Sequence, residues 1–284
     1  MKRIGLVLSG GGARGLAHTK ALEVFDDLGI KPHIIVGSSM GALVAGAYAA
    51  GHSPQRIAED VIAENVTRIF NPFDVRQYAF SRHGLLSNKN LRAAFARSVD
   101  DCDMTDLDIK TKIIAKDFET GKKKVFSSGS LHDAVTASIS IPGIFNPTSV
   151  QGRLYVDGGV SDNLPVADAV SECDHIIAID VTKGVSLRSN RLFRFINKAF
   201  LREKKDLRTT MPVDPSLAHF HLDFNLTEYS VLDWNKGERI LELSGRKVEA
   251  LRQHLIELIG EQKDSKTEIE SIQAPVPVQV SIMK

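Results

Sequence analysis

His33-Ile34-Ile35-Val36-Gly37-Ser38-Ser39-Met40-Gly41-Ala42-Leu43-Val44-Ala45-Gly46-Ala47-Tyr48 carries an apolar run into a turn and a helical run out of it. The turn, Gly37 to Gly41, spells G-x-S-x-G. Between a strand and a helix this spacing predicts a nucleophile elbow. The turn is too tight for side chains at its flanks, so glycine stands on both sides of Ser39. The serine is left on a strained corner with its hydroxyl exposed. The N-terminal N–H groups of the next helix point at charge developing there.

Upstream, Ile4-Gly5-Leu6-Val7-Leu8 reads as a buried first strand entering Ser9-Gly10-Gly11-Gly12-Ala13-Arg14-Gly15. A helix follows from Leu16 to Leu28, stopped by Gly29. Gly10-x-Gly12-x-x-Gly15 matches the dinucleotide fingerprint, which needs a carboxylate at the end of the second strand to hold a ribose hydroxyl. Here that strand ends in Val36-Gly37-Ser38. Gly15 is followed by Leu16-Ala17, not by the Lys-Ser/Thr of a phosphate loop. What survives is the physics of consecutive glycines, whose backbone approaches an anion closely and turns its N–H groups toward it. Arg14 adds positive charge. Beside an elbow serine, such a loop makes an oxyanion hole.

Downstream, Ser53-Pro54 opens a helix to about Asn65, and Ser87 caps another over about 88–98. Residues 71–84 read as irregular. Lys112–Lys116 and Lys123–Phe126 read as a strand pair. Ser130 begins a helix, with Asp133 where a capping-box acceptor sits. Leu154-Tyr155-Val156 is a short strand running into Asp157-Gly158-Gly159, and His175–Val181 is another strand. Trp234 to Ile259 reads as one amphipathic helix ended by Gly260. Strands alternating with helices predict an α/β domain whose largely parallel sheet is covered on both faces.

A serine hydroxyl is a poor nucleophile until a base takes its proton. Asp157 offers that base, because Gly158 and Gly159 permit a sharp turn that brings its carboxylate close to another loop's serine. Taken alone, Asp-Gly-Gly is a plain turn; its weight comes from co-occurrence with the other two motifs. A Ser…Asp…His order would draw on His175, His219, His221 or His254, each of which reads more simply as a surface or core residue. His18 reads as a residue lining the pocket.

The balance of charge excludes other classes. At 284 residues with net charge +1 there is no bulk attraction to nucleic acid. Cys102 and Cys173 lack metal-ligand spacing and read as reduced thiols, so neither a metal nor any other cofactor is expected. No run approaches the ~20 apolar residues of a spanning helix. The first apolar run is too short for a signal sequence. The expected setting is cytoplasmic, with membrane contact only at the inner surface.

Together, Gly10 to Gly15 (G-G-G-x-R-G), Gly37 to Gly41 (G-x-S-x-G) and Asp157 to Gly159 (D-G-G) resemble the patatin-like phospholipase family, in its small bacterial form. Ala137 to Pro147 and Asn163-Leu164-Pro165 also look like that family's segments. The resemblance covers about residues 4 to 182. It implies a three-layer α/β/α fold around a mostly parallel sheet and a Ser-Asp dyad without histidine. Ser39 is then the nucleophile, Asp157 the base, and the backbone around Gly11, Gly12 and Ala13, with Arg14 nearby, the oxyanion hole. It implies cleavage of lipid-type acyl esters through an acyl-serine. A small-ester or thioester hydrolase with the same dyad, and a regulatory protein that keeps the fold, are the alternatives. A dyad demands a desolvated aspartate, since an ordinary carboxylate is a weak base toward a hydroxyl.

Beyond the core, 183–262 is expected to be a helical extension packed on it, and 263–284 a mobile tail. Residues 188–208 hold eight basic and two acidic residues. On a helix, Leu192, Phe193, Phe195, Ile196, Ala199 and Phe200 share one arc and five basic residues another. That pattern suits an anionic lipid surface. It equally suits a core-packed helix with a basic outer face, or a lid.

Overall fold

A computed structural model describes residues 2–64, 84–182 and 214–260. The basic 188–208 segment, the tail, and the 71–84 stretch up to residue 83 lie outside the described residues. The chain builds β1 (Ile4–Leu8), a 3-10 turn (Gly12–Leu16), α1 (Ala17–Asp27), β2 (Ile34–Ser38), α2 (Met40–Ala49) and α3 (Pro54–Ala63). It continues with β3 (Gly84–Leu86), α4 (Asn88–Ala96), β4 (Lys110–Asp117), β5 (Lys123–Phe126) and α5 (Leu131–Ile139). There follow β6 (Gly143–Phe145), β7 (Thr148–Val150), β8 (Arg153–Asp157), β9 (His175–Asp180), β10 (Phe220–Asp223), α6 (Gly237–Gly245) and a last helix, α7, over 249–260.

The caps act as their sequences require. Ser53, Ser87 and Ser130 each accept a hydrogen bond from the first turn of their helix, on the amides of Arg56, Lys89 and Asp133. The Asp133 carboxylate itself pairs with Arg92 instead of closing a capping box.

The main sheet has the order β10-β9-β1-β2-β4-β8-β7, with β5 also on β4. From β10 to β4 every pair is parallel, while β5, β8 and β7 pair antiparallel. Parallel strands need both faces covered, which explains the apolar runs of β1, of Ile34–Val36 in β2 and of Ile176–Ile179 in β9. Leu6, Ile35, Ile113 and Ile177 face the helices, whereas Val7, Ile34, Ile114 and Ile176 face the segment Leu164–Cys173. A one-residue slip would exchange these two sets.

Two expectations change beyond the core. The described part of the extension is not helical alone: β10 adds a strand to the sheet edge. The single helix expected over Trp234–Ile259 is a 3-10 turn (Trp234–Lys236), then α6, then a break at 246–248, then α7. At the break the Lys247 amide donates to the Ser244 carbonyl, and its ammonium donates to the carbonyls of Phe224 and Asn225. No described helix is long and apolar enough to cross a membrane.

Candidate active site

The register of β4 explains how residues 118 positions apart meet. Ile114 pairs with Ser38 on one side and Val125 on the other. Its neighbour Ala115 pairs with Asp157 and Lys124. β5 runs along one edge of β4, so β2 and β8 share the opposite edge, approaching from opposite directions. Their C-terminal ends meet head-on at Ile114-Ala115. Ser39 follows β2 and Asp157 closes β8, so both side chains arrive at one point.

Contact this close requires glycine after the aspartate. A Cβ on Gly158 would stand 2.2 Å from the Ile114 carbonyl oxygen and 2.8 Å from Ser38 Oγ. The elbow is equally tight, since a Cβ on Gly37 would meet the Gly41 carbonyl oxygen at 2.4 Å and one on Gly41 the Leu8 carbonyl oxygen at 2.3 Å. Ser39 takes φ 52°, ψ −123°. A non-glycine residue at positive φ stores strain that its surroundings must hold in place. Ser138 helps to hold it: its hydroxyl donates to the Ile114 carbonyl at 2.6 Å and accepts the Ser39 amide at 2.9 Å.

At the meeting point, Ser39 Oγ donates to Asp157 Oδ2 at 2.7 Å. Asp157 Oδ1 accepts the Gly159 amide at 2.7 Å, which fixes the rotation of the carboxylate. Asp157 is 3% exposed and Ser39 9%. Burial pushes the Asp157 carboxyl from its ordinary 3.8 up to about 7, against the smaller lowering effects of the Ser39 and Gly159 hydrogen bonds.

The glycine loop lies beside Ser39: a Cβ on Gly10 would be 2.8 Å from Ser39 Cβ. The Gly10 amide donates to the Asn163 carbonyl, Ala13 to the Val231 carbonyl and Arg14 to the Gly11 carbonyl. The amides of Gly11 and Gly12 have no such acceptor among the described residues, and Gly12 lines the cleft with Ser39. Ala13 and Arg14 therefore differ from the sequence expectation, their N–H groups being engaged inside the protein. The Arg14 guanidinium is buried on the Tyr229 carbonyl oxygen. Burial lowers its pKa, against Asp233 and Asp180.

His18 does not line the cleft. It is buried under the glycine loop, and its Nε2 donates to the Ser9 carbonyl at 2.8 Å. Burial pushes it down to about 4, so the ring stays neutral. His175 stacks on His254 at the start of β9 with the His219 ring tilted beside it, at the strand end away from Ser39. His221 reaches Asp180.

Several contributors escape a linear reading. Ser138 and Asn163 sit in runs already singled out, but only the fold shows what they touch. The Asn163 side chain fills the space left by Gly10 and Gly159, its Oδ1 2.4 Å and 2.6 Å from where their Cβ atoms would be. No signal in the sequence marks Tyr229 to Trp234 as neighbours of the glycine loop.

From Ser39 opens an apolar cleft. Met40, Leu43 and Ala47 of α2 form one wall, at helical spacing. Ile57 and Val61 of α3, Phe95 of α4, and Ile141 and Phe145 form others, with His52, Asp60, Glu64 and Ser98 as polar members. Asp60 and Glu64 are paired with Arg56 and Arg97. The cleft can receive an extended apolar group whose polar end lies at the serine.

Known proteins have similar sequences. An uncharacterised NTE family protein of Mycobacterium bovis is 34% identical over 190 residues, covering 66% of this chain and 50% of the relative. A lysophospholipase of Saccharomyces cerevisiae is 28% identical over 181 residues, covering 63% of this chain and 11% of that enzyme. The chain thus spans about half, or far less, of these relatives. The crystal structure of VipD from Legionella pneumophila superposes with TM-score 0.52 at 13% identity, covering 89% of this chain and 67% of that one, and shares the fold. The family model "Patatin-like phospholipase" matches residues 6–170, a span that starts in β1 and takes in the glycine loop, the elbow and the Asp-Gly-Gly turn. With those three elements converging on one buried serine–aspartate pair, the chain belongs to the patatin-like phospholipase family.

Proposed function

We propose that the chain is a serine acyl hydrolase that cleaves lipid-type acyl esters with Ser39 as nucleophile and Asp157 as base. The carrying observation is the 2.7 Å hydrogen bond from the serine hydroxyl to a buried carboxylate. As Ser39 Oγ attacks the ester carbonyl, its proton passes to Asp157 Oδ2. The oxyanion forms against the Gly11 and Gly12 amides. The protonated Asp157 then gives its proton to the leaving alcohol, and the acyl group stays on Ser39. A water molecule repeats the sequence to release the acid. Dry surroundings serve both parts: they raise the proton affinity of Asp157 and strengthen the amide–oxyanion interaction. The apolar cleft beside Ser39 suits an acyl chain, and the lysophospholipase among the relatives supports a lipid ester as substrate.

A fluorophosphonate probe is expected to label the wild-type protein and not the Ser39→Ala variant. An unlabelled wild type would overturn the proposal. Labelling should also rise with pH to a plateau, half-maximal near the Asp157 pKa of about 7, because only the ionised carboxylate accepts the proton. A stopped rate measurement from pH 5 to 9 checks this. A profile flat through neutrality would remove Asp157 as base.

A further inference from the structure

The wall of the cleft nearest the glycine loop comes from outside the span that defines the family. Residues Leu226 to Lys236 cross from the glycine loop to α3 as a strap. At one end Arg14 grips the Tyr229 carbonyl, and the Ala13 amide donates to the Val231 carbonyl at 2.9 Å. Gly12 is required there: at φ 55°, its missing Cβ would stand 2.2 Å from the Val231 carbonyl oxygen. At the other end Gly237 seats the chain on Leu16 and Ile62, with a Cβ position 3.0 Å from each side chain. Between these anchors the strap holds its own shape. Ser230 and Asp233 cap one another's turn, and the Trp234 amide donates to the Leu232 carbonyl. Leu232 and Trp234 line the same cleft as Ser39, Met40, Leu43 and Ala47.

We propose that this strap sets which acyl chains the cleft accepts: Leu232 and Trp234 touch the chain, and the Arg14–Tyr229 and Ala13–Val231 contacts hold that wall in register with the glycine loop. Two arguments carry it. First, the backbone bonds that fix the strap are made by the glycine loop itself, so wall and loop move together. Second, Leu232 and Trp234 are half-buried, Trp234 resting on the edge of the main core, and the rest of their apolar surface lines the cleft, where a ligand can reach it. The inference rests on the acyl-hydrolase reading for its substrate, and the test separates the two.

Trp234 is the single tryptophan of the chain. In the Ser39→Ala protein, which needs no turnover, bromopalmitate is expected to quench its emission and palmitate is not. Bound bromopalmitate that leaves the emission unchanged would overturn the proposal whatever the protein's chemistry. In the active protein, p-nitrophenyl palmitate and butyrate are compared. Trp234→Ala should raise KM for palmitate by roughly fivefold or more, through lost apolar contact, and alter butyrate by less than about twofold. Leu232→Trp should fill the cleft and abolish palmitate cleavage while butyrate cleavage and fluorophosphonate labelling persist. An unaltered palmitate-to-butyrate ratio in both variants sinks the proposal. Quenching in a protein that no probe labels would instead leave the strap standing and remove the hydrolase reading.

Discussion

Asp157→Asn is expected to abolish turnover and to make the protein more stable at the same time. The carboxylate sits 3% exposed, with its pKa displaced from 3.8 to about 7 by burial. A displacement of that size corresponds to on the order of 4 kcal/mol of folding free energy, lost when the ionised group is buried. The sign follows from the two states. Above about pH 7 both folded and unfolded chains carry the charge, and only the folded one holds it away from water. Between about pH 4 and 7 the folded chain keeps a proton that the unfolded chain releases, so the wild type loses stability as pH rises. Below about pH 4 both are protonated and the penalty is gone.

Asparagine fits the same space without charge. Its carbonyl oxygen takes the Gly159 amide and its NH2 faces Ser39, so the serine proton has no base to go to. Turnover should fall on the order of 10⁴-fold. At pH 8 the melting temperature should rise by several degrees, at about 2–4 °C per kcal/mol for a chain of this size, and the gain should shrink toward zero at pH 4. Calorimetry across that range checks the prediction; equal melting temperatures at pH 8 would mean that the carboxylate is not desolvated.

Gly158→Ala should damage both stability and chemistry although it removes no reacting group. The new methyl would stand 2.2 Å from the Ile114 carbonyl oxygen and 2.7 Å from its carbon. Both are backbone atoms in the middle of the sheet and cannot turn aside. The strain is relieved only by moving β8 away from β4, at about 3 kcal/mol. That is about 6–12 °C in melting temperature. The same movement separates Asp157 from Ser39, so fluorophosphonate labelling should slow by at least tenfold while both residues remain. Gly245→Ala is the control: its Cβ would meet nothing within 4 Å at the end of α6. There alanine should be neutral or slightly stabilising, with labelling unchanged. Equal behaviour of the two variants would show that the β4–β8 contact does not hold the pair together.

Much of this protein could be read along the chain because the relevant physics is local. The apolar runs at Ile4–Leu8, Ile34–Val36 and Ile176–Ile179 are uninterrupted because parallel strands are buried on both faces. Glycines at 37, 41 and 158 mark turns whose neighbouring backbone admits no Cβ, and such exclusion is legible as residue identity alone. The caps at Ser53, Ser87 and Ser130 are local in the same way. The elbow, the glycine loop and the Asp-Gly-Gly turn could therefore be named one by one.

That Ser39 and Asp157 pair follows from the co-occurrence of the motifs and the family resemblance; how the chain brings them together does not. Ser39 meets Asp157 because β2 and β8 share one edge of β4, a consequence of strand order rather than of either motif. The depth of burial that raises Asp157 follows from everything packed around it. The Val231 carbonyl occupies the Ala13 amide, which leaves the Gly11 and Gly12 amides of the glycine loop, and His18 lies beneath the loop rather than in the cleft. The strap from Leu226 to Lys236 carries no glycine-rich or acidic signature, and its first half reads as nothing in particular. Sequence alone determined which residues can do chemistry, because strained turns and buried strands each restrict residue type at a position. Tertiary structure decided how they meet, how dry their meeting place is, and what closes the cleft beside them, because register, burial and long-range contact depend on the whole chain at once.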